Sequence, residues 1–259
     1  RGLAAAAPGA DDNSPHPGGG GGAPPPPPPT REVTPMHALA NFNWAGVIDF
    51  LPALLTGLYY TLLVSIVGIG IGFVIGAFVG LGRLTRFKPL YWLCTGYVEL
   101  IRGTPVLVQA IWIYFALPLI INYTLPSIVA GIIVIALNSG AYIAEVVRGA
   151  VQSIDKGQME AGRSLGMSHH KTMLQVIWPQ AFRRMIPPLG NQFIISIKDT
   201  SLLSVILVPE LIFQGRMIAA SNFNAVEIYT TVALFYLVIT LTLSKILNVL
   251  EKRLERRVA

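Results

Sequence analysis

Lys198, Asp199, Thr200 and Ser201 stand consecutively inside a long apolar stretch, and side chains of these types can contact a solute, relay charge or hold helices together. A charged residue at mid-bilayer costs roughly 2.5–3.5 kcal/mol on insertion scales. If this stretch spans a membrane, the four residues face protein or a water-filled path. They form either a helix break or the lining of a solute pathway, or else an internal ion pair or polar glue between helices. Asn138 lies in another apolar segment, where its amide suits the α-amino or amide group of a solute as well as it suits an interhelical hydrogen bond. Glu99 with Arg102, and Glu145 with Arg148, are each three apart, so either pair can meet on one helix face as a structural brace. His169 and His170 are adjacent and point in different directions on a helix. No third ligand follows at zinc spacing, so no metal site is expected. No serine, histidine and aspartate set or carboxylate pair gathers outside the apolar segments, and the residues suggest no enzyme.

The stretch 160–179, EAGRSLGMSHHKTMLQVIWP, is charged, punctuated by glycine and set between two apolar blocks. Ser153 is a candidate N-cap for a short helix running to about Leu165, and Gly166 supplies a left-handed stop. Ser168 caps a second helix, which Pro179 interrupts. The expected product is a compact helix, turn, helix with Glu160 and Arg163 on one exposed side. Standing alone, such a segment reads more readily as an ordinary solvated amphipathic loop.

What must position these residues is a set of membrane helices. Of the 259 residues 53% are apolar and only 12% are charged, against roughly 25% charged in soluble domains. The formal charge of +6 sits at the ends of apolar runs and not in an aromatic-interleaved patch, which argues against nucleic acid. The single cysteine, Cys94, excludes an intrachain disulfide and reads as a packing residue. Residues 1–35 carry a glycine run and a proline run that cannot bury enough surface to order. They are read as a disordered leader, either a genuine tail or an extension ahead of a start at Met36. Residues 36–54 are expected to hold an amphipathic interfacial helix, with Trp44, Val47, Ile48, Leu51 and Leu55 at helical spacing. A membrane domain over 55–250 follows, with five spans at about 55–82, 91–121, 126–146, 187–213 and 226–247. A break of the second span at Gly103 and Pro105 is disfavoured, because each piece is too short to cross alone. Lys and Arg concentrate in the loop after the first span, in a cytoplasmic loop at about 150–183 and in the basic tail 251–259. The positive-inside rule therefore places the amino terminus outside and the carboxyl terminus in the cytoplasm.

Gly68, Gly72, Gly76 and Gly80 recur every fourth residue in the first span. Small residues at that interval let two helix backbones approach closely in lipid. No strand or polar group accompanies them, which rules against a phosphate cradle.

The loop also resembles the EAA signature of the permease subunits of ATP-binding-cassette (ABC) importers: Glu-Ala-Ala, three residues, Gly, nine residues, then Ile, any residue, Leu, Pro. Glu160, Ala161, Gly166 and Pro179 match, while Gly162, Val176 and Trp178 replace Ala, Ile and Leu. The chain beyond Met36 is similar to permeases of polar amino acid importers, glutamine permeases especially. ELIRGTP (99–105), NSGAYIAEVVRGAV (138–151), PPLGNQFIISIKDTSL (187–202) and NFNAVEI (222–228) carry the similarity. The resemblance implies an all-α type I importer permease of five transmembrane helices in a bacterial inner membrane. It pairs with a copy of itself or a sister permease and receives its solute from an extracytoplasmic amino-acid-binding protein. Glu160, Ala161, Gly162, Arg163, Gly166 and Pro179 would couple it to a cytoplasmic ATPase dimer. No GxxxxGK[ST] loop is present, so ATP and magnesium are expected on the partner ATPase. An ion-driven carrier using Lys198 and Asp199 as a charge relay is the alternative.

Overall fold

A computed structural model describes residues 44–222 and 225–255, and all regular structure among them is helical. The elements are α1 (Trp44–Gly82), α2 (Lys88–Arg102), α3 (Val106–Ile121), α4 (Ser127–Gln152), α5 (Lys156–Ser164), α6 (His169–Ile206), α7 (Leu211–Asn222) and α8 (Ala225–Glu255). Among the described residues, three helices are individually long and apolar enough to cross a membrane. The number becomes five if the bent pairs α2 with α3 and α6 with α7 each count as one span. The leader 1–35, residues 36–43 of the expected interfacial helix and residues 256–259 of the basic tail lie outside the described residues.

Residues 44–54 do not form a separate interfacial helix. They are the first three turns of α1 and run unbroken into the first span. Their apolar face is used for packing: Leu54 is fully buried among Leu211, Ile218 and Ile228 of α7 and α8. Pro52 is carried inside the helix, and the Thr56 hydroxyl donates to the Pro52 carbonyl at 3.0 Å, the i−4 back-bond that Ser and Thr make within helices.

The glycine stripe faces α4. A Cβ at Gly68 would lie 2.8 Å from Ile135 Cβ, at Gly76 2.6 Å from Ile143 Cβ and at Gly80 2.7 Å from Val147 Cβ, and at Gly72 2.8 Å from the Ala136 carbonyl. The register advances in step on both helices, so α1 and α4 run parallel at backbone contact. α6 runs the other way: Arg184, in its first half, bonds Ser153 at the end of α4, while Leu203, near its end, packs on Gly131. Together these directions gather Arg83, Arg148 and Arg184 at one end of the bundle.

The expected continuous helix over 91–121 is broken by a bend of 102° between Arg102 and Val106. The ring of Pro105 forces Thr104 out of helical geometry, and Pro105 itself is extended, with φ −62° and ψ 139°. Gln109 stabilises the break. Its Nε2 reaches the Ile101 carbonyl at 2.7 Å, the Thr104 carbonyl at 3.0 Å and Thr104 Oγ1 at 2.9 Å. Backbone groups freed in lipid must be satisfied in this way. The two pieces are short, as expected, and they count as a span only as a bent pair.

The fourth span also departs from its expected bounds of 187–213. Helix α6 begins at His169 and passes through Pro179, Pro187 and Pro188. A single π-turn at Met173–Ile177 lies immediately before Pro179 and carries the helix past the missing proline N–H, so Pro179 does not interrupt it. The end of α6 tightens to a 3₁₀ helix over Thr200–Ile206 and stops at Leu207, whose φ is +62°.

Candidate functional site: a polar cleft and a rigid loop

A cleft of about 600 Å³ opens between α2, α4 and α6. Arg102, Asn138, Tyr142 and Glu145 line one side, and Asn191, Gln192 and Asp199 line the other. Asn138 is buried, yet its amide makes no hydrogen bond to the described residues. Gln192, also buried, donates to Ser196 Oγ at 3.2 Å. Asp199 is half-buried and forms no ion pair among the described residues, Lys198 included. Pro188, Gln192, Ile195 and Asp199 recur at helical intervals, so α6 presents them together.

Of the four-residue polar belt, only Asp199 reaches the cleft. Lys198 is exposed and absent from the lining. Thr200 is fully buried and donates to the Ile197 carbonyl at 2.6 Å, while Ser201 donates to the Lys198 carbonyl at 2.6 Å. These two hydroxyls serve the helix end, where the tightening backbone leaves carbonyls needing donors.

The expected pair of Glu99 and Arg102 is not formed. The Arg102 guanidinium turns to Glu145 at 3.5 Å and lies over the Tyr142 ring, 5.2 Å from its centroid. Glu145 also pairs with Arg83, just beyond α1, and accepts from Arg148 at 2.7 and 3.1 Å. One carboxylate of α4 therefore gathers guanidiniums from three parts of the chain. The spacing of Glu145 and Arg148 is legible in sequence, but the approach of Arg83 depends on the parallel packing along the glycine stripe.

The loop between α4 and α6 is a well-supported knob. Asp155, and not Ser153, caps α5: its carboxylate accepts from Gly157 N at 2.6 Å. Ser153 ends α4 and accepts from Arg184 Nη1 at 2.9 Å. Helix α5 stops at Leu165, Gly166 takes φ +80°, and Ser168 caps α6 by accepting from Lys171 N at 3.2 Å. Gly162 is buried against Thr172, and Ile154, Ile177, Ala181 and Met185 form a small core beneath, with Met159 packed against it. Glu160, Ala161, Arg163 and Pro179 are exposed. Arg163 donates to the Met167 carbonyl at 3.4 Å, which leaves the Glu160 carboxylate facing outward.

Glu210 carries no sequence signal as a site, yet it is fully buried at the break between α6 and α7. Its carboxylate accepts from Ile212 N at 2.8 Å, Phe213 N at 2.7 Å and the Tyr236 hydroxyl at 3.0 Å. Leu211 N donates to Thr61 Oγ1 of α1 at 3.2 Å. The break is thereby fastened to α1 and α8.

Apolar helices with two broken spans, a polar cleft between them and a braced charged loop at one end are the architecture of a membrane transport subunit. Residues 72–259 match the family of binding-protein-dependent transport system inner membrane components. The glutamine transport system permease protein GlnP of Escherichia coli (strain K12) is 49% identical over 215 residues, covering 83% of this chain and 98% of that one. The L-cystine transport system permease protein TcyB of Bacillus subtilis (strain 168) is 44% identical over 212 residues, covering 82% and 90%. A crystal structure of an amino acid ABC transporter with histidines superposes with a TM-score of 0.79 at 37% identity, covering 82% of this chain and 99% of that one. The chain therefore belongs to the family of binding-protein-dependent transport system inner membrane components. It is a membrane permease of the type I importer fold.

Proposed function

We propose that the chain is the permease subunit of an ATP-driven importer for a polar amino acid, with glutamine as its solute. The observation that carries this reading is the cleft. A free amino acid offers a carboxylate, an ammonium group and, in glutamine, an amide. The cleft offers a cation in Arg102, an anion in Asp199 and amides in Asn138, Asn191 and Gln192. The unpartnered amide of buried Asn138 leaves a hydrogen-bonding group for a ligand to satisfy. The names of the relatives support amino acid transport, and the glutamine permease supports glutamine in particular.

The protein acts on this reading with a separate ATPase pair, a second permease subunit, identical or sister, and an extracytoplasmic binding protein. ATP and magnesium reside on the ATPase. Glu160, Ala161, Gly162, Arg163, Gly166 and Pro179 form the docking knob that converts closure of the ATPase into movement of α4 and α6. The end of the bundle holding Arg83, Arg148 and Arg184 faces the cytoplasm, with the amino terminus outside.

Uptake of labelled glutamine into proteoliposomes containing this chain, its ATPase and its binding protein tests the proposal. Uptake requires ATP, and Asp199→Asn reduces it at least tenfold while the complex still assembles. Flux driven by an ion gradient without the ATPase, or full uptake by Asp199→Asn, contradicts it.

A further inference from the structure

We propose that Arg102 is an exchangeable tie: it fastens α2 to α4 through Glu145 while the cleft is empty, and leaves Glu145 for the carboxylate of the arriving amino acid. This rests on the cleft being the solute site.

The three guanidiniums on Glu145 are not equivalent. Arg83 bonds Oε1 and Arg148 bonds Oε2, so both carboxylate oxygens are satisfied without Arg102. Arg102 stands 3.5 Å away as an ion pair without a hydrogen bond, and its side chain is 41% exposed. It donates no hydrogen bond to the described residues. The ring of Tyr142 supports the face of the guanidinium and leaves free its edge, where the five N–H donors lie. Arg102 is thus held in place with its recognition groups unused, on the lining of the cleft.

Charge points the same way. Three arginines share one glutamate, which leaves this end of the cleft short of negative charge. An incoming carboxylate is complementary to that excess, and a bidentate guanidinium–carboxylate pair is stronger than the long contact it replaces. Glu145 keeps Arg83 and Arg148, so the exchange strands no charge.

The consequence is mechanical. Arg102 is the last residue of α2, adjacent to Gly103 and shortly before the extended Pro105. Loss of its hold on Glu145 frees the end of α2 at the 102° break. Solute binding then favours whichever arrangement gives Arg102 the better partner, which is the differential interaction any ligand-driven change requires. Arg83 and Arg148 are static braces, and Arg102 is the member that reports occupancy.

The test uses the assembled complex of permease and ATPase in nanodiscs, in a Cys94→Ser background. Spin labels at Leu93→Cys on α2 and Gly149→Cys on α4 stand at exposed positions. The probes are L-glutamine and L-glutaminamide, which keeps the ammonium and side-chain amide but lacks the carboxylate. L-Glutamine shifts the distance between the labels, and L-glutaminamide at equal occupancy does not. Arg102→Gln weakens L-glutamine binding roughly tenfold or more, leaves L-glutaminamide binding within about twofold and gives the shifted distance without ligand. If Arg102→Gln does not assemble, the comparison of the two probes on the parent protein decides alone: equal shifts from both overturn the proposal. L-Glutamine binding that falls with Asp199→Asn but is indifferent to Arg102→Gln, with no change in distance, overturns the exchange and leaves the cleft as the solute site. No binding of either probe overturns both.

Discussion

Replacing Glu210 with alanine is expected to destabilise the permease more than any cavity of that size would, because the carboxylate is the shared acceptor for three elements. It caps α7 through Ile212 N and Phe213 N and receives the Tyr236 hydroxyl from α8, while its side chain is fully buried. Loss of an N-cap costs about 0.5–2 kcal/mol, and a buried donor left without an acceptor costs about 1–3 kcal/mol. Taken together, Glu210→Ala should cost about 1.5–5 kcal/mol. At about 2–4 °C per kcal/mol for a chain of this size, its apparent Tm falls by roughly 10 °C. Tyr236→Phe removes one hydrogen bond, about 1 kcal/mol, and lowers the apparent Tm by about 3 °C. Glu210→Gln falls between them, since a single amide oxygen replaces two acceptors and the new NH₂ confronts a donor. The assay is built into the chain: Cys94 is buried, so a fluorogenic thiol reagent reports its exposure on heating in detergent. If Glu210→Ala melts within about 2 °C of the parent, or Tyr236→Phe is as damaging as Glu210→Ala, the idea that Glu210 fastens the break is wrong.

Three further substitutions probe the frame that positions the cleft. Gly76→Leu places a side chain where Ile143 Cβ and the Gly140 carbonyl lie 2.6 and 2.7 Å from the new Cβ. It should cost about 1–3 kcal/mol in the same thermal assay, whereas Gly70→Leu, with nothing within 4 Å, should be neutral. Gln109→Leu removes the donor from two freed carbonyls at the bend and should lower the apparent Tm by roughly 5 °C or more and reduce uptake. A Gln109→Leu protein with parental stability and uptake shows that the bend does not depend on that amide.

The helices were legible where apolar length and glycine spacing are strong signals: α1, α4 and α8 follow directly from long apolar runs. The breaks were harder. At Pro105 the residue type marks a bend, but pieces too short to span point to a continuous helix, because the rescue by Gln109 exists only in three dimensions. At Pro179 the opposite error arises, since a π-turn absorbs the missing donor and the helix continues. The cleft was half legible: Asn138 and Asp199 stand out as polar groups in apolar runs, and Gln192 shares a helical face with Asp199. Arg102 is drawn to Glu145 by helix packing, so sequence spacing alone assigns it to Glu99. Lys198, Thr200 and Ser201 look like pathway residues from composition, yet a rotation of about 100° per residue sends consecutive side chains in different directions. Glu210 has no periodic partner, and its importance comes from contacts that its own segment makes with residues 150 positions earlier and 26 later in the chain.

The central claim is that a cytoplasmic knob on this permease is moved by a separate ATPase, and its most direct test is disulfide trapping at position 160. Glu160→Cys in a Cys94→Ser background, with a cysteine in the cleft of the partner ATPase, should form a crosslinked species in native membranes. Uptake should stop on oxidation and recover on reduction. A Glu160→Cys variant whose thiol reacts with membrane-impermeant reagents only from the external side, or uptake that continues unchanged with the crosslink complete, contradicts the account.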